Sequence, residues 1–382
     1  MPVTERFPPT LKGHFDQSCV KKPAVWTTSP YSGFSYFLQQ NKKLEEKSKN
    51  TKRIVSLVAS LALVLSMSLG LSGCGDKAAQ DNNQGSTDGE STKYTVGICQ
   101  LVQHEALDAA TQGFIDALNE ALPGEVEFQT KNASGDSANC STIVNGFVSD
   151  KVDLIMANAT GALTAAAAAT SDIPILGTSI TAYGVALDID DFDGTVGGNI
   201  SGTSDLADLE AQANMITEWF PEAQKVALLF CSAEPNSRYQ IEEVAKCLSD
   251  KGIETKEFAF TDTNDVASVT QSAADYADVV YVPTDNTAAS NTEAIANILV
   301  PAGVPAICGE EGICKGCGVA TLSINYYDLG VTTGKMAAKI LTGEANISEM
   351  PIEFTEATPK YNPTMCETLG IEPLDGYTAI ED

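Results

Sequence analysis

The chain has 382 residues, with 51 Asp and Glu against 23 Lys and Arg, for a net charge of −28. That length allows two lobes of ordinary domain size, and the charge argues against docking on nucleic acid or on anionic lipid. Beyond Cys74 the balance sharpens to −34, which suits a solvated, self-repelling surface and by itself says nothing more specific.

Residues 1–50 mix Pro, Ser, scattered aromatics and lysines with no sustained period. They read as a mis-called or unstructured extension ahead of a true start near Leu44, with a cytoplasmic domain as the alternative. Residues 51–73 form a signal: Lys47, Lys49, Lys52 and Arg53 precede an apolar run from Ile54 that closes on Leu71-Ser72-Gly73-Cys74. Small residues before a cysteine are the pattern of a lipoprotein cleavage site, so Cys74 is the expected lipidation site and the first mature residue. Two acyl chains there anchor stably on the extracytoplasmic face of the membrane where one would be marginal. An uncleaved membrane-spanning helix is the other reading of the same run. Residues 74–93, rich in Asp, Asn, Gln, Gly and Ser, are too polar to bury anything and act as a flexible spacer.

Eight cysteines follow the spacer: Cys99, Cys140, Cys231, Cys247, Cys308, Cys314, Cys317 and Cys366. Export would permit pairing, yet Cys99, Cys231 and Cys308 lie in apolar strand patterns, where a thiol behaves as a small buried hydrophobe. Cys314 and Cys317 have disulfide spacing, and a metal site would need further ligands, with His104 the only histidine after Cys74. No metal and no cofactor is expected. The chain carries no phosphate-binding Gly-x-x-x-x-Gly-Lys loop, no Gly-x-Ser-x-Gly elbow, and no dinucleotide fingerprint after the first strand. An enzyme would have to be a surface cysteine hydrolase using Cys99 or Cys231 with His104.

In chain order, short apolar strand runs alternate with stretches of helical period. Strands are predicted at 94–100, 126–132, 152–158 and 174–180, with helices at 107–122, 138–149 and 162–169 between them. The pattern restarts after Ile200-Ser201-Gly202-Thr203. Helices at 206–220, 238–248, 266–276 and 288–299 then alternate with strands at 225–231, 255–260, 279–282 and 305–308. A strand at 319–324 and a helix at 327–341 come last. The fold class is α/β, with two Rossmann-like lobes of parallel sheet and flanking helices joined by a multi-strand hinge. Residues 94–203 form lobe 1, 204–317 form lobe 2, and 318–382 return to lobe 1 and end in a C-terminal tail.

Ligands of open α/β sheets sit beyond the carboxyl ends of the strands. The polar segments there are 100–104, 132–136, 158–160, 178–183, 232–237, 284–286 and 310–311. Two lobes facing each other across a hinge would bring these segments around a small molecule.

Several of these segments carry a resemblance. Gly97-Ile98-Cys99-Gln100 with His104-Glu105-Ala106-Leu107-Asp108-Ala109, Asn132-Ala133-Ser134-Gly135-Asp136, and Ser201-Gly202-Thr203-Ser204-Asp205 occur in order. Ser232-Ala233-Glu234-Pro235-Asn236-Ser237, Tyr281-Val282-Pro283-Thr284-Asp285-Asn286 and Gly309-Glu310-Glu311-Gly312 follow. On these blocks the chain resembles the tryptophan/tyrosine type of ABC-transporter substrate-binding lipoproteins, which have the type I periplasmic-binding fold. The resemblance implies a monomer that captures a free amino acid, often aromatic, and delivers it to an ABC permease driven by a separate ATPase. No catalysis is implied. A ligand-sensing domain for a membrane receptor would use the same fold.

A closed cleft must satisfy both charges of an amino acid. Under the resemblance, Thr160, Ser179, Thr181, Asn236 and Ser237 are placed to bind the carboxylate, with Asp285 and Glu234, then Glu310, for the ammonium. Gln100 and Asn286 complete the candidate ligand-binding set. Each Ser, Thr or Asn could instead be a helix cap. The chain departs from many relatives at Gly161, at Ala182-Tyr183 and at Asn325, where they carry Pro, Asp-Pro and Asp. Tyr183 would then either offer a ring for stacking or fill the pocket, and Asn325 would remove one ammonium partner.

Overall fold

The computed structural model describes residues 94–381. The extension 1–50, the signal 51–73, Cys74 and the rest of the linker 74–93 lie outside the described residues.

Strands β1 (Tyr94–Gln100), β2 (Val126–Asn132), β3 (Leu154–Asn158), β4 (Ile175–Ile180), β5 (Ile200–Ser204) and, from much later in the chain, β11 (Glu353–Phe354) form a six-stranded parallel sheet in the order β11-β5-β4-β3-β1-β2. Helices α1 (Glu105–Ala121), α2 (Ser137–Asp150) and α3 (Thr160–Ala169) link its first strands, and α4 (Tyr183–Ala186) lies between β4 and β5. Period-two burial explains the layering. Val96, Ile98, Leu154 and Met156 point to one core with Phe114 and Leu118 of α1, while Cys99, Ile155 and Ala157 point to another with Val144, Phe147 and Leu163. Both faces are covered, so the strands read as unbroken apolar runs.

The second sheet repeats the plan. Strands β6 (Lys225–Cys231), β7 (Glu254–Phe260), β8 (Val279–Val282), β9 (Ala306–Cys308), β10 (Ala320–Ile324), β12 (Ala357–Tyr361) and β13 (Thr378–Ala379) take the order β13-β12-β10-β9-β8-β6-β7. Only the β10/β12 ladder is antiparallel. Helices α5 (Leu209–Trp219), α6 (Pro235–Asp250), α7 (Val266–Ala274), α8 (Asn286–Ala289), α9 (Thr292–Ala302) and α10 (Glu311–Cys317) belong to this lobe, with α12 (Pro363–Leu369) near the end. Each sheet therefore has its topological switch beside its first strand, between β1 and β3 in one and between β6 and β8 in the other.

The chain crosses between sheets three times: from β5 to α5, from β10 to α11 (Tyr326–Leu341), and from β11 to β12. The reading of 318–382 as a return to the first lobe needs correction. Val319 and Ala320 bury in the second core, and β10 continues the ladder beside β9. Within 318–382, α11 and β11 join the first lobe, while β10, β12, α12 and β13 complete the second.

Helix α11 returns because it fits α1 with unusually close backbones. A Cβ on Gly330 would lie 2.0 Å from the Ala110 carbonyl oxygen, and one on Gly334 would lie 2.6 Å from that of Phe114. Buried hydroxyls add a polar tie, with Thr203 Oγ1 2.8 Å from Thr333 Oγ1 and 3.2 Å from Thr178 Oγ1. This ladder explains why the polar segment Ile200–Ser204, which the sequence pattern marks only as a restart, can be a fully buried strand. Gly330→Ala must push α11 from α1 and is expected to lower stability by about 2–3 kcal/mol, measured by denaturant unfolding of the purified chain.

Candidate functional site

The carboxyl ends of both sheets face one small cavity with room for about one water. From the first lobe and the hinge it is bordered by His104, Leu107, Ser179, Thr181, Asp205 and Tyr326. From the second lobe come Asn236, Thr284, Asp285, Asn286, Ala289 and Glu310. His104 Nε2 lies 3.3 Å from Asn286 Oδ1, and Lys315 Nζ lies 3.7 Å from Glu105 Oε1, so contacts span the cleft beside this cavity.

Local backbone shapes the wall on the first-lobe side. The β4/β5 register shifts between Gly177 and Ile180, and Ser179 inside that irregularity has φ +56°. A bulge of this kind re-aims side chains, and a non-glycine residue in the left-handed region is held there by its surroundings. Ser179 is 6 % exposed and its Oγ has no hydrogen-bond partner. Opposite on β5, Gly202 has φ +145°, and a Cβ there would lie 2.0 Å from the Gly177 carbonyl oxygen, so only glycine fits.

Asp205 follows β5 at the first crossing and is 5 % exposed. Its Oδ2 accepts from the Tyr326 hydroxyl at 2.9 Å, and its Oδ1 has no partner. Burial pushes its pKa up from the usual carboxylate value, with the Tyr326 hydroxyl, the nearby Thr181 hydroxyl and its own backbone N–H acting the other way.

The other carboxylates differ. Asp285 caps α8 through Oδ1, which accepts from the Ala288 N–H at 2.8 Å, and Oδ2 accepts from the Cys231 N–H at 2.6 Å. Glu310 caps α10, with its two oxygens taking the Gly312 and Ile313 N–H groups. Burial raises Asp285 to about 8, helped by the charge of Glu234, and raises Glu310 to about 7. Glu234 is held away from the cavity as the acceptor of the Asn286 and Thr287 backbone N–H groups at 3.0 and 2.8 Å, together with the Asn286 amide and the Thr287 hydroxyl.

Of the sequence candidates, Ser179, Thr181, Asn236, Asp285, Asn286 and Glu310 border the cavity, and Gln100, Thr160, Tyr183, Glu234 and Ser237 do not. Gln100 is used inside lobe 1, donating to Asp108 at 2.6 Å and accepting from Thr111 at 2.7 Å. Thr160 opens α3 and is buried there. Ser237 is buried behind Asn236, whose amide donates to its hydroxyl and to the Thr284 carbonyl. Tyr183 fills space under the sheet. Its hydroxyl donates to the Thr203 carbonyl at 3.1 Å and its ring stacks on Phe192. Asn325 is an exposed cap, accepting from the Asp328 N–H at 3.0 Å. Arg238 pairs with Glu257 at 2.6 Å on the surface.

His104 and Thr284 border the cavity from the strand-end segments 100–104 and 284–286, and Leu107, Asp205, Ala289 and Tyr326 border it from outside every such segment that the sequence marks. For Asp205 the signal was present, since it ends the block Ser201-Gly202-Thr203-Ser204-Asp205 directly after a strand. The strand itself was not predicted, so the rule of strand ends passed over it.

All eight described cysteines are free thiols. Cys231 is raised to about 11 by burial and by Asp285, which disfavours the thiolate a nucleophile needs, and the His104 ring contacts Asn286. Among the described residues no group of three or more His, Cys, Asp and Glu is placed to hold a metal ion.

Comparison with known proteins fits this geometry. Residues 95–375 match the family described as ABC transporter substrate binding protein. The chain is 32% identical over 318 residues to the tyrosine-binding protein of Clostridioides difficile (strain R20291), covering 81% of this chain and 89% of that one. A structure from Streptococcus pneumonia, an ABC domain in complex with L-Trp, aligns with a TM-score of 0.72 at 28% identity, covering 75% of this chain and 100% of that one. The ligand-free, open structure of a substrate-binding protein with adhesive properties from Clostridium difficile aligns at 0.59 with 32% identity, covering 75% and 99%. On its sequence match, its two sheets and its three crossings, the chain belongs to the ABC transporter substrate-binding proteins of the type I periplasmic-binding fold.

Proposed function

We propose that this chain is the lipid-anchored, extracytoplasmic receptor of an ABC importer, closing its two lobes on a free amino acid, with tyrosine or tryptophan favoured. The observation that carries the reading is that two residues bordering the cavity, Asp205 and Ser179, each hold a buried side-chain atom without a hydrogen-bond partner. Asp205 Oδ1 is an acceptor for an ammonium group and Ser179 Oγ is a donor for a carboxylate. Those are the two polar groups shared by all free amino acids, and each would otherwise stay unsatisfied in the interior.

This assignment replaces Asp285 and Glu234 as the ammonium partner. Both are already occupied by backbone N–H groups, as is the reserve candidate Glu310, so they stiffen the wall of the second lobe. Thr181 and Thr284 supply further hydroxyls beside the pair. The relatives named for tyrosine and bound to tryptophan support an aromatic side chain. The better match to the tryptophan complex than to the open relative, against the order of sequence identity, supports reading the described lobes as the closed arrangement. A cavity with room for about one water then requires the lobes to part before a ligand enters. Closure would re-form the His104 to Asn286 and Glu105 to Lys315 contacts. Diacylation of Cys74 would hold this monomer at the membrane beside a permease and its ATPase.

Two outcomes are expected. Asp205→Asn should weaken binding of tyrosine or tryptophan by about 30-fold or more in calorimetry, as loss of one partner of a buried charge pair costs about 2–5 kcal/mol. Affinity should also fall as pH drops. The Asp205 pKa is raised, so lowering the pH protonates the carboxylate that the ammonium needs, and binding is strongest above that pKa while the ammonium keeps its proton. Titrations across pH 5–8 that show tighter binding at the acid end would contradict the assignment.

A further inference from the structure

We infer that the cleft selects its ligand by a primary ammonium group and accepts alkyl and arylalkyl amines that lack a carboxylate. This rests on the amino-acid reading of the same cavity and narrows it to a ligand class.

The wall carries acidic side chains and no basic one apart from His104. Asp205, Asp285 and Glu310 border it, and no lysine or arginine does. Cations on the elements that border it are engaged elsewhere, with Lys315 near Glu105 at 3.7 Å and Arg238 on Glu257 at 2.6 Å. Of the bordering residues, His104 alone could carry positive charge, and burial lowers its pKa and favours the neutral ring.

The two ends of a zwitterion thus meet unequal partners. The ammonium finds Asp205 Oδ1, a buried and unpaired carboxylate oxygen on a side chain 5 % exposed. The carboxylate finds Ser179 Oγ, a neutral donor, within a group of three carboxyls. Asp285 and Glu310 cannot turn away from it without releasing the backbone N–H groups they cap. Removing the ligand carboxylate forfeits only a hydrogen bond from a neutral donor. Removing the ammonium leaves Asp205 buried with no counter-charge, the costlier deletion.

Calorimetry on the purified full-length chain tests this with tyrosine, tyramine and 3-(4-hydroxyphenyl)propionate, and with tryptophan, tryptamine and indole-3-propionate. Each amine is expected to bind within about tenfold of its parent amino acid, and each deaminated acid more than about tenfold weaker. An amine that falls outside that range, or a deaminated acid that falls inside it, overturns the inference while leaving the amino-acid reading intact. If no amino acid binds, that reading fails separately. Binding of tyramine or tryptamine would then still sustain the ammonium inference, and its absence would end it. Asp205→Asn should weaken both classes, Asp205→Glu should recover part of the loss, and Ser179→Ala should weaken the amino acid more than the amine. Melting curves without ligand separate these effects from misfolding.

Discussion

Asp205 stands where the chain first leaves the first sheet, and the hydroxyl it accepts from belongs to Tyr326, where the chain re-enters the first lobe. One hydrogen bond therefore joins two of the three crossings at the edge of the cavity. Burying a carboxylate with an oxygen left unpaired is expensive. Under the proposed function, a ligand ammonium removes that penalty. It does so at the hinge, so recognition of charge and closure of the lobes would be one event.

The surrounding architecture makes such a site rigid on both sides. In the second lobe, Asp285, Glu310 and Glu234 look like ligand carboxylates in the sequence, yet each is bound by backbone N–H groups that need a partner whether or not a ligand is present. In the first lobe, the left-handed Ser179 and the glycine-only position at Gly202 set the wall against which Tyr183 packs from behind. The close fit of α1 and α11 then holds the hinge end at Tyr326 against Ala106 and Ala110 of α1.

Much of the frame was legible because it depends on local periods. The apolar runs of β1, β3, β6 and β8 and the helices between them follow directly from alternation and helical spacing. What could not be read depends on partners distant in the chain. β5 is polar, and its burial makes sense only once Thr333 and the Met350 carbonyl are beside it, as hydroxyl partners of Thr203 and Ser201. β10 looked like the start of a return to lobe 1 because nothing in its sequence names β9 and β12 as neighbours. The same limit governed the site. Strand-end rules collected Ser179, Thr181, Asn236 and Asp285, but whether a polar atom is free or already spoken for is a property of the folded neighbourhood. Glu234 and Asp205 sit in equally suggestive motifs, and only their hydrogen bonds distinguish a wall support from a candidate contact.

The central claim is tested most directly by a crystal structure of the chain with tyrosine or tryptophan bound. The account predicts the ligand nitrogen at about 3 Å from Asp205 Oδ1, with the Tyr326 hydroxyl still on Oδ2. A ligand nitrogen seated on Asp285 or Glu310, with Asp205 left unpaired, would contradict it.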